Sequence, residues 1–346
     1  MIDKITIALD CMGGDKAPVS VIEGASIISR EYDSQVFFLL YGDERKINKI
    51  LLKHPELLRN SKVCHTEDFI AGDEKPTIAL RTGKNSSMKL AIDAVKAKEA
   101  DACISAGNTG ALMVMSKLVL RPLSSIDRPA LIQLMPNMLG GATAMLDMGA
   151  NIECDSINLC QFALMGRAFV KAILGIKEPK IGILNVGSEE MKGNDSIKNA
   201  SITLKSSILK DDYYGFIEGN DILKGIVDVV VTDGFTGNVA LKSIEGASKL
   251  FMSILKDGFT HSFFSKAGYL LAKNGLQVAK SKMDSRAYNG ALLIGLNGIS
   301  VKSHGNADAY AFSMAIKNTI SLVKGKIIKE ICEYMKETNF DNSMES

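Results

Sequence analysis

The fold class of this 346-residue chain is decided by the stretch Ile5-Thr-Ile-Ala-Leu-Asp-Cys-Met-Gly-Gly-Asp-Lys-Ala-Pro18. The apolar run Ile5–Leu9 predicts a buried strand that ends in Asp10, and the pair Gly13-Gly14 predicts a tight turn. Pro18 then opens an amphipathic stretch, which is typical of a helix start. Such a junction presents free backbone N–H groups and predicts an anion site, with an ordinary strand-to-helix turn as the alternative.

Apolar runs and amphipathic stretches alternate along the rest of the chain. The strand-like runs are Ile5–Leu9, Val36–Tyr41, Ala102–Ser105, Ala130–Met135, Ala142–Asp147, Ile181–Asn185 and Val227–Thr232. The helix-like stretches are Pro18–Arg30, Glu44–Leu52, Ser87–Lys98, Gly110–Leu118, Ile157–Leu174, Ser196–Ile208, Gly237–Lys256 and Asp308–Lys324. This alternation predicts a three-layer α/β/α fold with a mostly parallel sheet, in a single domain of residues 1–335 followed by a polar tail, 336–346.

Polar glycine loops follow several of the predicted strands. Besides the first loop, they are Ser105–Ala111, Asp147–Asn151, Asn185–Asn194 and Asp233–Val239. Ligands of open α/β sheets bind beyond the carboxyl ends of the strands. We therefore expect these five loops to share one ligand cleft.

Composition excludes several classes of function. The net charge of +2 gives no basic field for nucleic acid. The six cysteines form no C-x-x-C pair, which favours reduced thiols in the cytoplasm. The N-terminus leads directly into a strand without a signal peptide, and no run of about 18 apolar residues predicts a transmembrane helix.

The missing motifs narrow the chemistry further. The chain has no phosphate-binding G-x-x-x-x-G-K-[ST], no G-x-G-x-x-G on the first helix and no G-x-S-x-G serine elbow. Its four histidines do not cluster at metal spacings, and only His304 lies among other candidate site residues. We therefore expect no metal and no cofactor, and a substrate that itself acts as the nucleophile.

The motifs resemble one family, the bacterial phosphate acyltransferases that make acyl phosphate from acyl-acyl carrier protein. The matching segments are Ala8–Pro18, Ser86–Met88, Ser105–Leu112, Ile126–Ala130, Leu146–Asn151, Glu189–Asn194, Thr232–Lys242 and Val301–Gly305. They run in order from about residue 4 to residue 324. The departures are small: Cys11 stands where the family usually has alanine, Lys16 where it often has histidine, and Ser188 replaces a common acidic residue.

The resemblance implies a fold like that of isocitrate and isopropylmalate dehydrogenases and phosphotransacetylases, used without nicotinamide. It also implies a homodimer that takes long-chain acyl groups from acyl carrier protein, in the first committed step of phosphatidic acid synthesis for phospholipids. The product would pass to a membrane glycerol-3-phosphate acyltransferase. The expected location is cytoplasmic, with peripheral contact to the inner face of the cell membrane.

In that reaction inorganic phosphate attacks a thioester, so the site must hold an anion and stabilise an oxyanion and a leaving thiolate. We expect Lys192 to supply the cation, unless it is a solvated loop lysine. Asn108 and Asn238 could donate amide hydrogens or cap helices. His304 could protonate the thiolate or form a hydrogen bond to phosphate. The remaining expected substrate-binding residues are Asp10, Gly13, Gly14, Asp15, Arg81, Lys84, Gly107, Arg128, Asn194, Asp233 and Gly237. Of these, Asp10 and Asp233 are expected to orient Lys192 or His304.

A helical hairpin is predicted at about residues 257–283. Its apolar face consists of Phe259, Phe263, Ala267, Leu270 and Leu271, with lysines at the edge. Gly275 is expected to turn the chain into a second helix. We expect Phe259, Phe263, Leu270 and Leu271 to contact the membrane, with burial in the core or a dimer interface as the alternative.

Two other classes remain open on sequence grounds. A metabolite dehydrogenase of similar architecture would carry metal-binding carboxylates and an arginine cluster, which the sequence does not present. A non-catalytic scaffold for lipid enzymes would not need the polar glycine loops.

Overall fold

The computed structural model describes residues 4–282 and 284–337, and the predicted tail beyond residue 337 lies outside them. In this part of the chain a sheet of 11 strands forms the middle layer. The strands are β1 (Ile5–Asp10), β2 (Val36–Gly42), β3 (Ser61–His65), β4 (Ala102–Ser105), β5 (Ala130–Pro136), β6 (Ala142–Leu146), β7 (Ile181–Leu184), β8 (Tyr213–Ile217), β9 (Val229–Val231), β10 (Ala291–Ile294) and β11 (Ile299–Lys302). Their order across the sheet is β3-β2-β1-β4-β11-β10-β5-β6-β9-β7-β8.

Helices cover both faces of this sheet. They are α1 (Val19–Tyr32), α2 (Glu44–Leu51), α3 (Pro55–Arg59), α4 (Pro76–Thr82), α5 (Ser87–Lys96), α6 (Thr109–Leu120), α7 (Ser156–Leu174), α8 (Asp195–Ser206), α9 (Gly234–Thr260), α10 (Phe263–Lys282), α11 (Ala309–Lys324) and α12 (Ile327–Glu337). One core joins the sheet to α1, α2, α3, α7, α8, α11 and α12, and the other joins it to α4, α5, α6 and α9. The predicted three-layer α/β/α fold is confirmed.

Strand β1 shows why the apolar runs form buried strands. Successive side chains of a strand point to opposite faces of the sheet. Ile7 and Leu9 enter the first core, whereas Ala8 between them enters the second, and all three are fully buried. A run that is apolar at every position therefore suits a strand covered by helices on both sides.

The strand directions divide the sheet into two halves. Strands β1, β2, β3, β4 and β11 are parallel to one another. Strand β10 is antiparallel to both β11 and β5, and β6 is antiparallel to β5. Strands β6, β7, β8 and β9 are again parallel to one another, so they run opposite to the first half.

This reversal corrects the expectation of one cleft at one edge of the sheet. The loops after β1, β4 and β11 leave one edge, whereas the loops after β6, β7 and β9 leave the other. The candidate residues therefore form two groups, and α9 is the element that extends from one toward the other.

Helix α7 is long and apolar enough to cross a membrane by length and composition. Of its 18-residue apolar window, 67% is buried in the protein. Phe162, Leu164 and Val170 are fully buried in the first core. The helix packs against the sheet as a core element.

The hairpin is longer than predicted and turns elsewhere. Helix α9 has 27 residues and α10 has 20, and only His261 and Ser262 separate them. The backbone N–H of Ser265 donates to the Ser262 hydroxyl at 3.0 Å, a helix-capping bond that starts α10. Gly275 lies within α10, so the expectation of a turn there is wrong.

The hairpin residues differ in exposure. Phe263, Leu270 and Leu271 in α10 are 81%, 70% and 90% exposed. Phe259 belongs to α9 and packs edge-on against Tyr269 of α10, with ring centroids 5.6 Å apart. Phe259 thus joins the two helices of the hairpin and does not share one helical face with the other three residues.

Candidate active site

Three loops at the carboxyl edge of the first half meet in a glycine cluster, defined by residues 10–15, 105–108 and 302–305. The Asp15 N–H donates to the Gly305 carbonyl at 2.8 Å, and the Ser303 N–H donates to the Ser105 carbonyl at 2.9 Å. A Cβ at Gly13 would collide with the Asp10 carboxylate and lie 2.7 Å from the Gly107 nitrogen. The loops therefore approach each other as closely as glycine permits.

The Asp10 carboxylate at the end of β1 stabilises this cluster through hydrogen bonds. It is 1% exposed and accepts hydrogen bonds from the Ser87 and Ser105 hydroxyls, both at 2.6 Å, and from the Met12 N–H at 3.2 Å. Burial raises the pKa of this carboxyl, and the hydroxyl hydrogen bonds oppose that shift. The expectation that Asp10 orients Lys192 or His304 is not met, because its hydrogen-bond partners are Ser87, Ser105 and Met12.

Lys302 is the group at this cluster that sequence reasoning missed. Its ammonium donates to the Ser303 carbonyl and, at 3.5 Å, to the Ala106 carbonyl. Burial lowers its pKa to about 8, with Asp10 and Asp15 opposing and Lys242 adding to the shift. The signal was present in Val301–Gly305, where a lysine follows an apolar run that forms β11.

His304 lies beside Lys302. Its backbone N–H donates to the Asn289 side-chain carbonyl at 3.0 Å, and the Asn289 amide donates to the Ser303 hydroxyl at 2.8 Å. Burial lowers the pKa of His304, and the charge of Glu245 opposes that shift. The charges of Lys302, Lys242 and Lys249 lower it further. Neutral imidazole is therefore favoured, which can take up or pass on a proton.

Asn108 performs the capping role that we considered for it. Its side-chain carbonyl accepts from the Ala111 N–H at 2.9 Å at the start of α6. Its amide donates to the carbonyls of Gly72 at 3.0 Å and Glu74 at 2.8 Å. In this arrangement the amide holds the 71–74 loop, so donation to a substrate would require that loop to move.

The second group surrounds Asp147, after β6. This carboxylate is fully buried and accepts from the backbone N–H groups of Leu131, Ala150 and Asn151 at 3.0, 2.9 and 2.7 Å. A Cβ at Gly237 would collide with the Asp147 carbonyl. The loop after β6 and the start of α9 are thus locked together.

Asp233, and not Asn238, caps α9. Its carboxylate accepts from the Thr236 N–H and hydroxyl, both at 2.8 Å. It does not orient Lys192 or His304 in this arrangement. Asn238 lies in the second turn of α9, is exposed, and faces Gly149, where a Cβ would lie 3.3 Å from the amide nitrogen.

An open cavity of about 600 Å³ lies along the first turns of α9. It is lined by Gly149, Ile152, Gly234, Phe235, Asn238, Val239, Lys242 and Ser243. Its apolar walls carry one amide, one hydroxyl and the Lys242 ammonium, which pairs with Glu245 at 2.9 Å. This combination suits an apolar substrate with a polar reacting group.

Lys192 lies in the loop after β7, the neighbour of β9, and its side chain is exposed. The Asn185 amide donates to the Lys192 carbonyl at 3.1 Å and fixes the loop. Gly193 has a φ of +90°, and a Cβ there would lie 2.5 Å from the Asn185 oxygen. Asn194 caps α8 through the Ile197 N–H at 2.9 Å, so its position serves the helix.

Three further basic residues were expected to bind substrate, namely Arg81, Lys84 and Arg128. Among the described residues, none of the three forms a hydrogen bond with the glycine cluster or with Asp147. Arg81 and Lys84 are exposed on and after α4. Arg128 is exposed, donates to the Glu153 carbonyl at 3.1 Å and lies 3.5 Å from the Asp127 carboxylate. Asp15 is exposed, and its backbone rather than its carboxylate joins the glycine cluster.

Helix α9 connects the two groups. It starts at the Asp147 loop and lines the cavity with Asn238 and Lys242. The charge of Lys242 acts on both Lys302 and His304. Among the described residues, no group of three or more His, Cys, Asp or Glu side chains could hold a metal ion.

The backbone resembles that of solved acyl-transferring enzymes. The crystal structure of a phosphotransacetylase from Streptococcus pyogenes matches with a TM-score of 0.61 at 15% identity, covering 94% of each chain. The predicted phosphotransacetylase-like fold is thereby confirmed, and the class of protein is an α/β protein of that fold.

Sequence comparison gives the family. The model described as "Fatty acid synthesis protein" matches residues 5–330. A phosphate acyltransferase of Rhodospirillum centenum is 53% identical over 323 residues, covering 93% of this chain and 90% of the relative. One of Paramagnetospirillum magneticum is 50% identical over 319 residues, covering 92% and 90%. The chain belongs to this fatty acid synthesis family, as one of its phosphate acyltransferases, which confirms the resemblance drawn from the motifs.

Proposed function

We propose that the enzyme transfers a long-chain acyl group from acyl-acyl carrier protein to inorganic phosphate and releases acyl phosphate. The family and its named relatives support phosphate as the acceptor. The acyl-acyl carrier protein donor rests on the motif resemblance and on the apolar cavity beside α9. Phospholipid synthesis is the pathway that would use the product.

One observation carries the proposal: α9 lines the cavity and also approaches Lys302 and His304. Asn238 and Lys242 are four residues apart, about 6 Å along the helix axis. A thioester whose acyl chain lies in the cavity would have its carbonyl near Asn238 and Lys242. An anion at the glycine cluster could then reach that carbonyl from the other side.

The chemistry follows from these positions. A phosphate oxygen attacks the thioester carbon, the C–S bond breaks, and the thiolate leaves with acyl phosphate formed. The phosphate proton passes to the thiolate, and His304, whose lowered pKa favours the neutral form, would carry it. The Asn238 amide and Lys192 would stabilise the tetrahedral oxyanion.

The proposed partners are acyl carrier protein, a second copy of the chain and a membrane glycerol-3-phosphate acyltransferase that receives the product. The exposed Phe263, Leu270 and Leu271 support peripheral contact with the inner face of the cell membrane. The proposed location is therefore cytoplasmic and membrane-associated. We propose no nucleic-acid partner, metal or cofactor.

The decisive test is incubation of the purified protein with a long-chain acyl-acyl carrier protein and inorganic phosphate. Hydroxylamine trapping should detect acyl phosphate, and its amount should match the free thiol released. Chelator should not change the rate, and omission of phosphate should abolish it.

The other classes give different outcomes in the same assay. Thiol release without acyl phosphate would show a thioesterase and contradict the proposal. A need for nicotinamide with magnesium or manganese would favour the dehydrogenase class. No turnover with any donor would favour the scaffold.

A further inference from the structure

We propose that Lys302 is the cation that binds inorganic phosphate at the glycine cluster. The inference deepens the proposed function and rests on it. It gives Lys302 the phosphate and leaves Lys192, in the other half of the sheet, to act on the thioester oxyanion.

Position is the first argument. Lys302 ends β11 and is in register with Ser105 at the end of the neighbouring β4. Its side chain therefore reaches the backbone of residues 105–107, where the Ala106 carbonyl holds the ammonium. The ammonium therefore lies at the glycine cluster, against the loop that follows β4.

The Lys302 ammonium is bound by carbonyl groups and not by a carboxylate. Among the described residues, no carboxylate forms an ion pair with Lys302, whose partners are the carbonyls of Ala106 and Ser303. The nearby Asp10 carboxylate is occupied by the Ser87 and Ser105 hydroxyls. A mostly buried cation without a paired anion is costly, and an anionic ligand would remove that cost.

Charged side chains around Lys302 influence its protonation. Asp10 and Asp15 face Lys302 and favour its protonated form, whereas Lys242 on α9 disfavours it. Asp15 is exposed to solvent, which weakens its repulsion of a bound anion. On the α9 side, Glu245 opposes Lys242 and Lys249 in their effect on His304, and Lys242 is paired with Glu245 at 2.9 Å.

The backbones of the three loops of the glycine cluster approach each other closely. A Cβ at Gly14 would lie 2.9 Å from the Ala106 Cβ and 3.1 Å from the Gly305 carbonyl, and its φ is +105°. A Cβ at Gly107 would lie 3.2 Å from the Ser105 hydroxyl. The backbones of these loops thus pack together at distances that only glycine allows, which brings the loops after β1 and β4 close to the end of β11, where Lys302 lies.

The experiment compares Lys302→Met and Lys302→Arg with Lys16→Met, an exposed lysine of the same loop. In Lys302→Met we expect the KM for phosphate to rise about tenfold or more, because a charge-assisted hydrogen bond is lost. The KM for acyl-acyl carrier protein should change by no more than about twofold, as should both constants of Lys16→Met. An unchanged KM for phosphate in Lys302→Met, or an equal rise in Lys16→Met, would overturn the proposal.

The pH profile keeps the test decisive if Lys302→Met does not fold. Wild-type KM for phosphate should rise as pH increases through about 8, where Lys302 loses its proton. Lys302→Arg, which stays charged, should move that rise to higher pH. Identical profiles for the two proteins would contradict the assignment.

A binding measurement separates this inference from the proposed function. Titration of the protein with inorganic phosphate alone, followed by ³¹P NMR line broadening, requires no acyl donor. Lys302-dependent binding without any acyl phosphate production would sustain the site and refute the function. If acyl phosphate is produced but phosphate binding does not depend on Lys302, the proposed function is supported and the phosphate site is refuted.

Discussion

The ammonium of Lys302 makes the stability of the protein depend on pH. Its pKa of about 8 in the folded protein lies below the ordinary value of 10.5. Between these values the unfolded chain binds a proton that the folded protein does not, so the free energy of unfolding rises with pH in that window. Below about pH 8 both states hold the proton, and this dependence disappears.

We therefore predict that wild type gains stability relative to Lys302→Met as pH rises from about 8 toward 10.5. The gain is at most about 3 kcal/mol, the free-energy equivalent of the full shift. Denaturant unfolding of both proteins at about pH 7 and about pH 9.5 measures it. If the difference in the free energy of unfolding between the two proteins is the same at both pH values, Lys302 titrates normally in the folded state.

Lys192→Ala tests the oxyanion role. Because this side chain is exposed, its removal should leave the free energy of unfolding unchanged. We expect kcat to fall by about two orders of magnitude, the loss of roughly 2–4 kcal/mol of transition-state stabilisation, with little change in the KM for phosphate.

The matched control is Lys198→Ala on α8, whose ammonium lies 4.0 Å from the exposed Asp195 carboxylate. It removes a similar charge from the next element and should keep kcat. Near-normal turnover in Lys192→Ala would make Lys192 a solvated loop lysine.

At the scale of single residues, sequence could single out positions but not the contacts that they make. Asp10 and Gly13 could be singled out, because a strand that ends in a carboxylate and glycines is a local signal. The partners of Asp10 could not be, since Ser87 and Ser105 are 77 and 95 positions away. Lys302 was missed because the short run Ile299–Val301 was not recognised as a strand.

The hairpin of α9 and α10 allows a prediction at the scale of one element. We expect Phe263→Glu with Leu270→Glu to abolish co-sedimentation with anionic vesicles, because buried charge in the bilayer interface is costly. Soluble acyl transfer to phosphate should persist, since neither residue lies near the cavity or the glycine cluster.

Leu52→Glu is the matched control. Leu52 is 72% exposed at the end of α2, close to the 70% of Leu270. It should sediment with vesicles as wild type does. Equal loss of binding in Leu52→Glu would point to general charge repulsion rather than to the hairpin.

Sequence predicts the bounds of some helices and strands better than those of others. Long stretches with a clear period, such as α7 and α11, agree closely with the structure. The turn between α9 and α10 was missed because Gly275 was weighted above the capping Ser262. Strands β10 and β11 have four residues each, too few to distinguish a strand from a loop by pattern.

Those two short strands decide the arrangement of the whole molecule. Strand β10 is antiparallel to both of its neighbours, and the β5–β6 pair is also antiparallel, so the second half of the sheet is reversed. Alternating apolar runs carry no information about strand direction, which is why sequence predicted a single ligand edge. The reversal places Lys192 and the glycine cluster at different edges, connected by α9.

Helix α9 also exposes apolar residues that one chain alone does not cover. Leu250, Phe251 and Ile254 are 63%, 50% and 59% exposed in its middle, between the cavity and the hairpin turn. These three residues form one apolar face, and an exposed apolar face of this kind is typically covered by another surface. We expect a second copy of the chain to cover this middle part, whereas Phe263 at the turn contacts lipid.

The last prediction separates these two surfaces. Leu250→Glu with Ile254→Glu should convert the proposed dimer to monomers in analytical ultracentrifugation, because charges would be buried in the interface. The Phe263→Glu and Leu270→Glu variant should remain dimeric and lose only vesicle binding. Acyl transfer should fall in the monomer, since α9 carries Asn238 and Lys242 into the cavity and would lose its support. A dimer that survives Leu250→Glu with Ile254→Glu, or dissociates when only Phe263 and Leu270 are changed, would show that the surfaces are assigned wrongly.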